Sequence, residues 1–441
     1  MTELRLHENA AKNFNSKVEE LLSKVDPLRD EQNISETTFE TDIITEFSIT
    51  EDDIIGGITR QSFDNMTGNV NGIEFATVYS GFRIPEKDCE GFFKLVEDIQ
   101  RTSVFRSALS HDFIQKNIIN WLQKRLQHEV VDTFCNLLEE KAMEAVNTHE
   151  VWIPIANLYL EEEFSLGFVR FRTISPNILS NWFGNEGRNL RELQKLQGLA
   201  AATITLRAEQ TYIVPKSLEW TEESLALLRV LHPSNALPHT ICYCLPLGSE
   251  NIASFRAFIG NDAHLISREE KFRPPFPTPW KISSHALSAI RGILVKMDKI
   301  LSTPEQNKSE FQQKLLEALL VYSKNNITKD YAEKLMFILI ALESMLNSND
   351  TDPIQQNVAD RMAFFLGTSA NELRSIIRLV KTCYGLRSRF VHHGQSSISD
   401  LDSLSKFMEL CHKFFLTLII QHENYTSKDE LLERIEVIKY S

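Results

Sequence analysis

Apolar positions in the first 270 residues follow two periods, one of two residues and one near 3.6, whereas beyond residue 283 only the helical period persists. Glu74 to Ile84 alternates as a strand does, and two helical patterns follow, at about Glu86 to Gln100 and from His111 through Leu138. A β-rich block comes next. Val151, Ile153 and Ile155 alternate, Val169 and Phe171 oppose Arg170 and Arg172, and Ala202, Ile204, Leu206 and Ala208 repeat the pattern. Helical patterns at about Gly187 to Leu199 and Glu219 to Leu231, with a strand at Thr240 to Leu247, complete an expected α+β region over residues 1–270.

Residues 271–282 read as a junction. Phe272 to Trp280 carries four prolines in nine residues, which excludes helix and favours a stiff extended path. The alternative reading is a ligand for a proline-binding domain. Residues 283–441 then form an expected all-helical domain. Helices are predicted at about Ser283 to Leu301, Ser309 to Lys324 and Thr328 to Leu346. Leu335 to Leu342 in the last of these is apolar all round, which predicts a buried central helix. Ile354, Val358, Met362 and Phe365 mark one face of the next helix, with Gly367 as its C-terminal cap. Ser369-Ala-Asn-Glu372 has the form of a capping box, opening a helix whose core face is Leu373, Ile376, Ile377 and Val380. The final long helix opens at Asp400 and sets Leu401, Leu404, Met408, Cys411, Phe415 and Leu418 at three-four spacing, a seam for a partner helix inside the chain or across a dimer.

The formal charge of −13 rules out bulk attraction to polyanions, so any nucleic-acid contact needs a local basic patch. Asp30 to Ile58 holds nine acidic residues and no lysine or arginine, as a solvated edge or an interaction arm would. Six scattered cysteines give no disulfide framework, and Cys242-Tyr-Cys244 lacks zinc-ligand spacing. The longest apolar run is eight residues against the roughly 20 of a membrane span. With no signal-peptide core near the start, the expectation is a cytoplasmic protein with reduced thiols and no membrane contact.

Chemistry enters at Tyr384-Gly-Leu-Arg-Ser-Arg-Phe-Val-His-His-Gly394, where Arg387 precedes His392 by five positions. The spacing alone says little. With 12 histidines and 23 arginines in 441 residues, chance supplies about two such pairs, and Arg106 with His111 is one. Context separates them: from Asp360 to His393 six basic residues face two acidic ones, and Arg374, Arg378 and Lys381 share a helical face. RNA could dock on that face. A histidine that moves a proton and an arginine that neutralises a phosphorane suit attack of a ribose 2′-hydroxyl on the neighbouring phosphorus, with no metal or other cofactor. The other reading of the pair is two side chains satisfying a helix C-terminus.

Leu386-Arg-Ser-Arg-Phe-Val-His-His-Gly394, Ala341-Leu-Glu-Ser-Met-Leu346 and Val358-Ala-Asp-Arg-Met-Ala-Phe-Phe-Leu-Gly367 together resemble the Apea-like branch of the HEPN superfamily, over roughly residues 305 to 425. The resemblance implies an up-and-down helical bundle that forms a homodimer and a composite, metal-independent endoribonuclease site, leaving 2′,3′-cyclic phosphate and 5′-hydroxyl ends. It places Arg387 and His392 in the catalytic roles, with Ser388 and His393 as supporting positions. The basic residues Arg374, Arg378, Lys381 and Arg389 would hold RNA. His393 departs from the family, which often has glycine directly after the motif histidine. Glu343, a carboxylate on an almost wholly apolar helix, is expected to orient Arg387 or another basic residue; the alternative is a solvent-facing helix end. The resemblance also implies a setting in anti-phage defence or as a toxin-type effector, restrained or triggered by a phage-derived or host factor acting through residues 1–270. The competing reading is a non-catalytic HEPN scaffold that dimerises or binds RNA.

Overall fold

A computed structural model describes residues 4–27, 67–70, 73–79, 82–183, 195–249, 254–260, 265–272, 279–348, 353–393 and 400–440, some of them, including 391–393, by their backbone alone. It contains an α+β part and a helical part. Two compact units divide it: Met1–Glu150 with Thr205–Lys216, and Val151–Ile204 with Ser217–Ser441. This division differs from the expected boundary at 271–282, because the strand-rich stretch from Val151 packs with the C-terminal helices. Most of the proline-rich stretch, residues 273–278, lies outside the described residues, as do the acidic run before residue 67 and most of the helix expected at 187–199.

In the first unit four helices, α1 (Glu8–Leu22), α2 (Glu86–Gln100), α3 (His111–Leu126) and α4 (Phe134–Ala145), bury Phe14, Val18, Phe92, Ile99, Phe105, Ile118, Trp121 and Leu138. A four-stranded sheet ordered β1-β4-β3-β2 belongs to the same unit, with β1 Asp26–Pro27, β2 Thr67–Val70, β3 Ile73–Tyr79 and β4 Phe82–Ile84. The single helix expected from His111 to Leu138 is two, because Gln127 closes α3 and His128 takes a φ of 59°. That left-handed turn ends the helical path, and Val130 stands fully exposed in the connection. The returning segment from Thr205 is pinned by Glu209, 2% exposed, which accepts from the backbone N–H of Ser110 (3.1 Å) and of Thr211 (2.6 Å). Arg106 and His111, the chance pair, thus lie around a helix N-terminus whose cap is Ser110.

A sheet ordered β10-β5-β9-β8-β7, with β5 Asn147–Ala156, β7 Phe164–Leu166, β8 Val169–Thr173, β9 Ala200–Ala208 and β10 Leu245–Pro246, falls mainly in the second unit, residues 147–150 and 205–208 excepted. The strand expected over Thr240 to Leu247 shrinks to β10, since Ile241 to Cys244 spend their backbone groups on other partners: Cys242 N–H donates to Asn326 O (2.7 Å) and Tyr243 O accepts from Asn157 Nδ2 (3.1 Å). β6 (Leu158–Leu160) pairs in parallel with β13 (Trp280–Ile282), a contact across more than a hundred residues that ties the strands to the helical part. β11 (Ser254–Gly260) and β12 (Leu265–Phe272) form an antiparallel hairpin. Gly167, in the β7–β8 turn, has a φ of +62°, and a Cβ there would lie 2.7 Å from Leu301 Cβ, so both backbone and space require glycine.

Two further helices, α5 (Pro176–Phe183) and α6 (Gln210–Val230), precede the helical region of α7 (Ser284–Ser302), α8 (Glu310–Ser323), α9 (Tyr331–Leu346), α10 (Ile354–Leu366), α11 (Ala370–His393), α12 (Leu401–Gln421) and α13 (Lys428–Tyr440). Capping residues start three of these helices where expected, Ser283, Ser309 with Gln312, and Asp400 each accepting from the first turn; the helix expected from Thr328 begins at Tyr331 instead, capped by Asp330. α9 packs against α8, α10, α11 and α12, so it is central. It is not buried all round, however: Ile340 is 42% exposed, with Met336 and Phe337 half-buried beside it. The seam of α12 is met inside the chain, against α7, α8, α9 and α11. Gly367 does occupy the C-cap of α10, but with an extended φ of −83°; its Cβ would meet Ala363 O at 2.9 Å, so close approach rather than a left-handed turn requires it.

A buried polar seam joins the loop after α6 to the turn between α8 and α9. Asn235 donates to the carbonyls of Arg229, Val230 and His232 and accepts from Asn325 and Asn326. His232 Nδ1 accepts from Ser234 N–H (3.0 Å), and burial, then the Lys334 charge, hold this imidazole down at about 4. A folded value below the ordinary 6.5 means that the neutral ring is the stable one in the fold. Its contribution is complete above about pH 6.5 and is lost as pH falls toward 4. Lowering pH from 7 to 5 is expected to cost on the order of 2 kcal/mol through this ring. Urea midpoints of wild type and His232→Asn, compared at the two pH values, check it: equal pH dependence would refute the assignment.

Candidate active site

The site is built on α9 and α11. Helix α11 starts from Thr368-Ser369: Ser369 Oγ accepts from Glu372 N–H (3.3 Å), while the Glu372 carboxylate reaches one residue further than a capping box does, to the N–H (2.8 Å) and hydroxyl (2.7 Å) of Thr368. Those bonds, the Thr368 hydroxyl's first, hold the Glu372 carboxyl below its usual range. Val380, Cys383, Tyr384 and Leu386 are buried, whereas Leu373, Ile376 and Ile377 of the expected core face are only half-buried.

Glu343, on the last turns of α9, is the meeting point. Its Oε1 accepts from the Tyr384 hydroxyl at 2.9 Å and from Arg387 Nη1 at 3.4 Å. The Glu343 side chain is 18% exposed and that of Arg387 32%, so the pair sits at the rim of the core, where water screens part of its attraction. Burial, then the Glu343 charge, push the Tyr384 phenol far up, which keeps it a donor. Among the described residues the other donors of the Arg387 guanidinium have no partner. A guanidinium carries five N–H groups. Arg387 is therefore held in place by Nη1 and has donors left for an anion.

Tyr384 is the residue that sequence reasoning passed over. It stands three positions before Arg387, so both side chains emerge on one helical face, and a phenol at that spacing was the available signal.

Arg374, Arg378, Lys381 and Arg389 are exposed, and none has an ion-pair partner among the described residues. Ser388 is exposed as well. The helical backbone continues to His393, but the side chains of His392 and His393 lie outside the described residues. Helix geometry still fixes the positions. At about 100° per residue, position 392 is five turns from Arg374 and falls on the line of Arg374, Arg378 and Lys381, while Arg387 lies about 140° away around the axis. The structure thus joins Arg387 to Glu343 and Tyr384 on one face and gathers the exposed basic residues on another. No helix among the described residues is long and apolar enough to cross a membrane.

Compared with protein-family models, with curated proteins and with solved structures, the chain matches none.

Proposed function

We propose that this chain is a metal-independent endoribonuclease of the HEPN type, acting as a homodimer. The observation that carries the reading is Arg387, fixed through one nitrogen by Glu343 and with donors that have no partner among the described residues, at the rim of a helix whose exposed face is basic. The reaction forms a bond from the ribose 2′-oxygen to phosphorus and breaks the bond from phosphorus to the 5′-oxygen. His392 takes the proton from the 2′-hydroxyl or supplies one to the departing 5′-oxygen. Arg387 neutralises the charge that grows on the phosphorane oxygens, and Glu343 and Tyr384 position it. Arg374, Arg378, Lys381 and Arg389 hold the RNA backbone. Ser388 and His393 flank the pair. The resemblance to the Apea-like branch further supports a role in anti-phage defence or as a toxin-type effector, with residues 1–270 receiving the trigger.

Purified protein is expected to cut RNA in EDTA and leave 2′,3′-cyclic phosphate and 5′-hydroxyl ends. Intact RNA under conditions where the dimer binds it would instead favour the scaffold reading.

A second copy of the chain would cover the open side of α9. Phe337, Ile340 and Ser344 share a face there, with Ile340 42% exposed beside Glu343. Ile340→Lys is expected to yield a monomer in sedimentation and to lower cleavage at least about tenfold, because a buried unpaired ammonium cannot be accommodated in the contact. A dimer of unchanged affinity would place the interface elsewhere.

A further inference from the structure

Away from that site, the second unit carries a groove of about 300 Å³ between β7 and α7, lined on one side by Phe164 and Ser165 and on the other by Leu287, Arg291, Leu294 and Val295. Its apolar wall is open to solvent: Val295 is 62% exposed beside the buried Leu287 and Leu294. Three charged side chains border the groove, and two of them are engaged. The Glu163 carboxylate accepts from Arg170 Nη2 (2.8 Å) and Arg172 Nε (3.3 Å), and Asp298 Oδ1 accepts from the Gly167 N–H (2.8 Å). Arg291 is exposed and has no hydrogen-bond or ion-pair partner among the described residues. Ser165 also offers its backbone. β7 is an edge strand, and its turn to β8 spans two residues, Gly167 and Phe168, so the flanking pair Leu166 and Val169 is the hydrogen-bonded one. The next pair, Ser165 and Arg170, then points its N–H and C=O groups outward. Those of Arg170 turn toward β9, where Thr203 Oγ1 donates to the Arg170 carbonyl at 2.9 Å, and those of Ser165 turn off the edge, with no partner among the described residues.

We propose that this groove binds an extended acidic peptide of a partner protein, which adds to β7 as a further antiparallel strand. One peptide residue donates its N–H to Ser165 O and accepts from the Ser165 N–H. An apolar side chain of the peptide covers Val295 between Phe164 and Leu294, and a carboxylate meets Arg291, the open charge of the groove. Spacing sets the pattern. Arg291 precedes Leu294 and Val295 by one turn, about 5 Å along α7, and side chains two apart on a strand lie about 6.7 Å apart on one face, so the apolar and acidic residues stand two positions apart. A small free carboxylate would satisfy Arg291 and leave the Ser165 N–H and C=O unused, whereas a peptide uses all three.

Full-length protein would be used to select phage-displayed random nonapeptides, and the consensus peptide would be synthesised and titrated calorimetrically. The selected sequences should share an aliphatic residue two positions from Asp or Glu. Arg291→Glu alters an exposed side chain and should select Lys or Arg in place of the acid, while binding the wild-type consensus peptide at least about tenfold more weakly. Methylating the one peptide nitrogen that donates to Ser165 should also weaken binding at least about tenfold, and methylating the adjacent nitrogen, whose N–H points away, should change it little. Ser165→Pro removes the matching donor of the protein; because that N–H faces off the edge, the fold should persist and the peptide should bind at least about tenfold more weakly. The idea is overturned if no shared pattern emerges, if Arg291→Glu selects the same peptides, or if neither backbone change weakens binding. It falls equally if a second copy fills the groove, seen in sedimentation as a dimer that Arg291→Glu dissociates.

Discussion

Arg387→Ala is expected to lower RNA cleavage by about a hundred- to a thousandfold, with dimer and fold retained. The stability cost is small because the ion pair to Glu343 is at the rim and part-screened, and Tyr384 still satisfies the carboxylate. Arg387→Lys keeps the charge but not the planar fork, so it should recover only part of the loss. His392→Ala should be comparably inactive. A sharper experiment follows from the helical count, which sets positions 387 and 392 about 140° apart on one helix. Such a pair meets most simply across two copies, with Arg387 of one chain serving His392 of the other. Mixing Arg387→Ala with His392→Ala protein and letting subunits exchange should then restore about a quarter of wild-type activity, since half the dimers are mixed and each has one intact site of two. Wild-type rates in both single variants would remove these residues from the reaction. No recovery on mixing would mean that the pair acts within one chain.

The second large effect concerns stability. Asn235→Ala is expected to cost about 3–5 kcal/mol, seen as a lower urea midpoint with an unchanged denaturant slope. Asn235 is fully buried, and its amide group satisfies the carbonyls of Arg229 and Val230 at the end of α6 together with that of His232. Its oxygen takes hydrogen bonds from Asn325 and Asn326, which in turn receive Lys334 Nζ and the Cys242 N–H on their carbonyls. Alanine leaves several of these groups dry and unpaired, each worth about 1–3 kcal/mol. A cost under about 1 kcal/mol would show that water replaces the side chain and that the seam is not a dry one.

What could be read from the residues alone followed local physics. Ser283, Ser309 and Asp400 announced their helices because a cap needs only the first turn, whereas the cap Asp330 sits two residues beyond the start expected at Thr328. α13 went unpredicted although Thr426-Ser427 and Glu430 repeat the bonds that start α11, and α1 was passed over because its buried Phe14, Val18 and Leu21 are embedded in a mostly polar segment. The exposed side of α9 was hidden for the opposite reason: a helix apolar on every face has no polar stripe to mark where its neighbours stop. Parallel pairing of Leu158–Leu160 with Trp280–Ile282 leaves no periodic trace across so long a separation. At the site, the pairing of Glu343 with Arg387 was legible because a lone carboxylate on an apolar helix needs a donor. The divergence of positions 387 and 392 became visible only once one helix was seen to run unbroken through both.

The first unit takes its last segment, Thr205–Lys216, from beyond a long stretch of the second. During vectorial synthesis residues 151–204 therefore emerge before the first unit can be closed. Until Glu209 arrives, the N–H of Ser110 lacks the carboxylate that receives it, and the chain up to residue 150 is a nascent intermediate with an open seam. A gene cut at residue 150 would keep the buried core, which runs from Leu4 to Val146, but lose the carboxylate that receives the Ser110 N–H. A cut after residue 216 would leave the second unit's strands stranded on the wrong fragment. The two units are thus interleaved in the reading frame, and a contiguous stretch that holds all of either unit also holds part of the other.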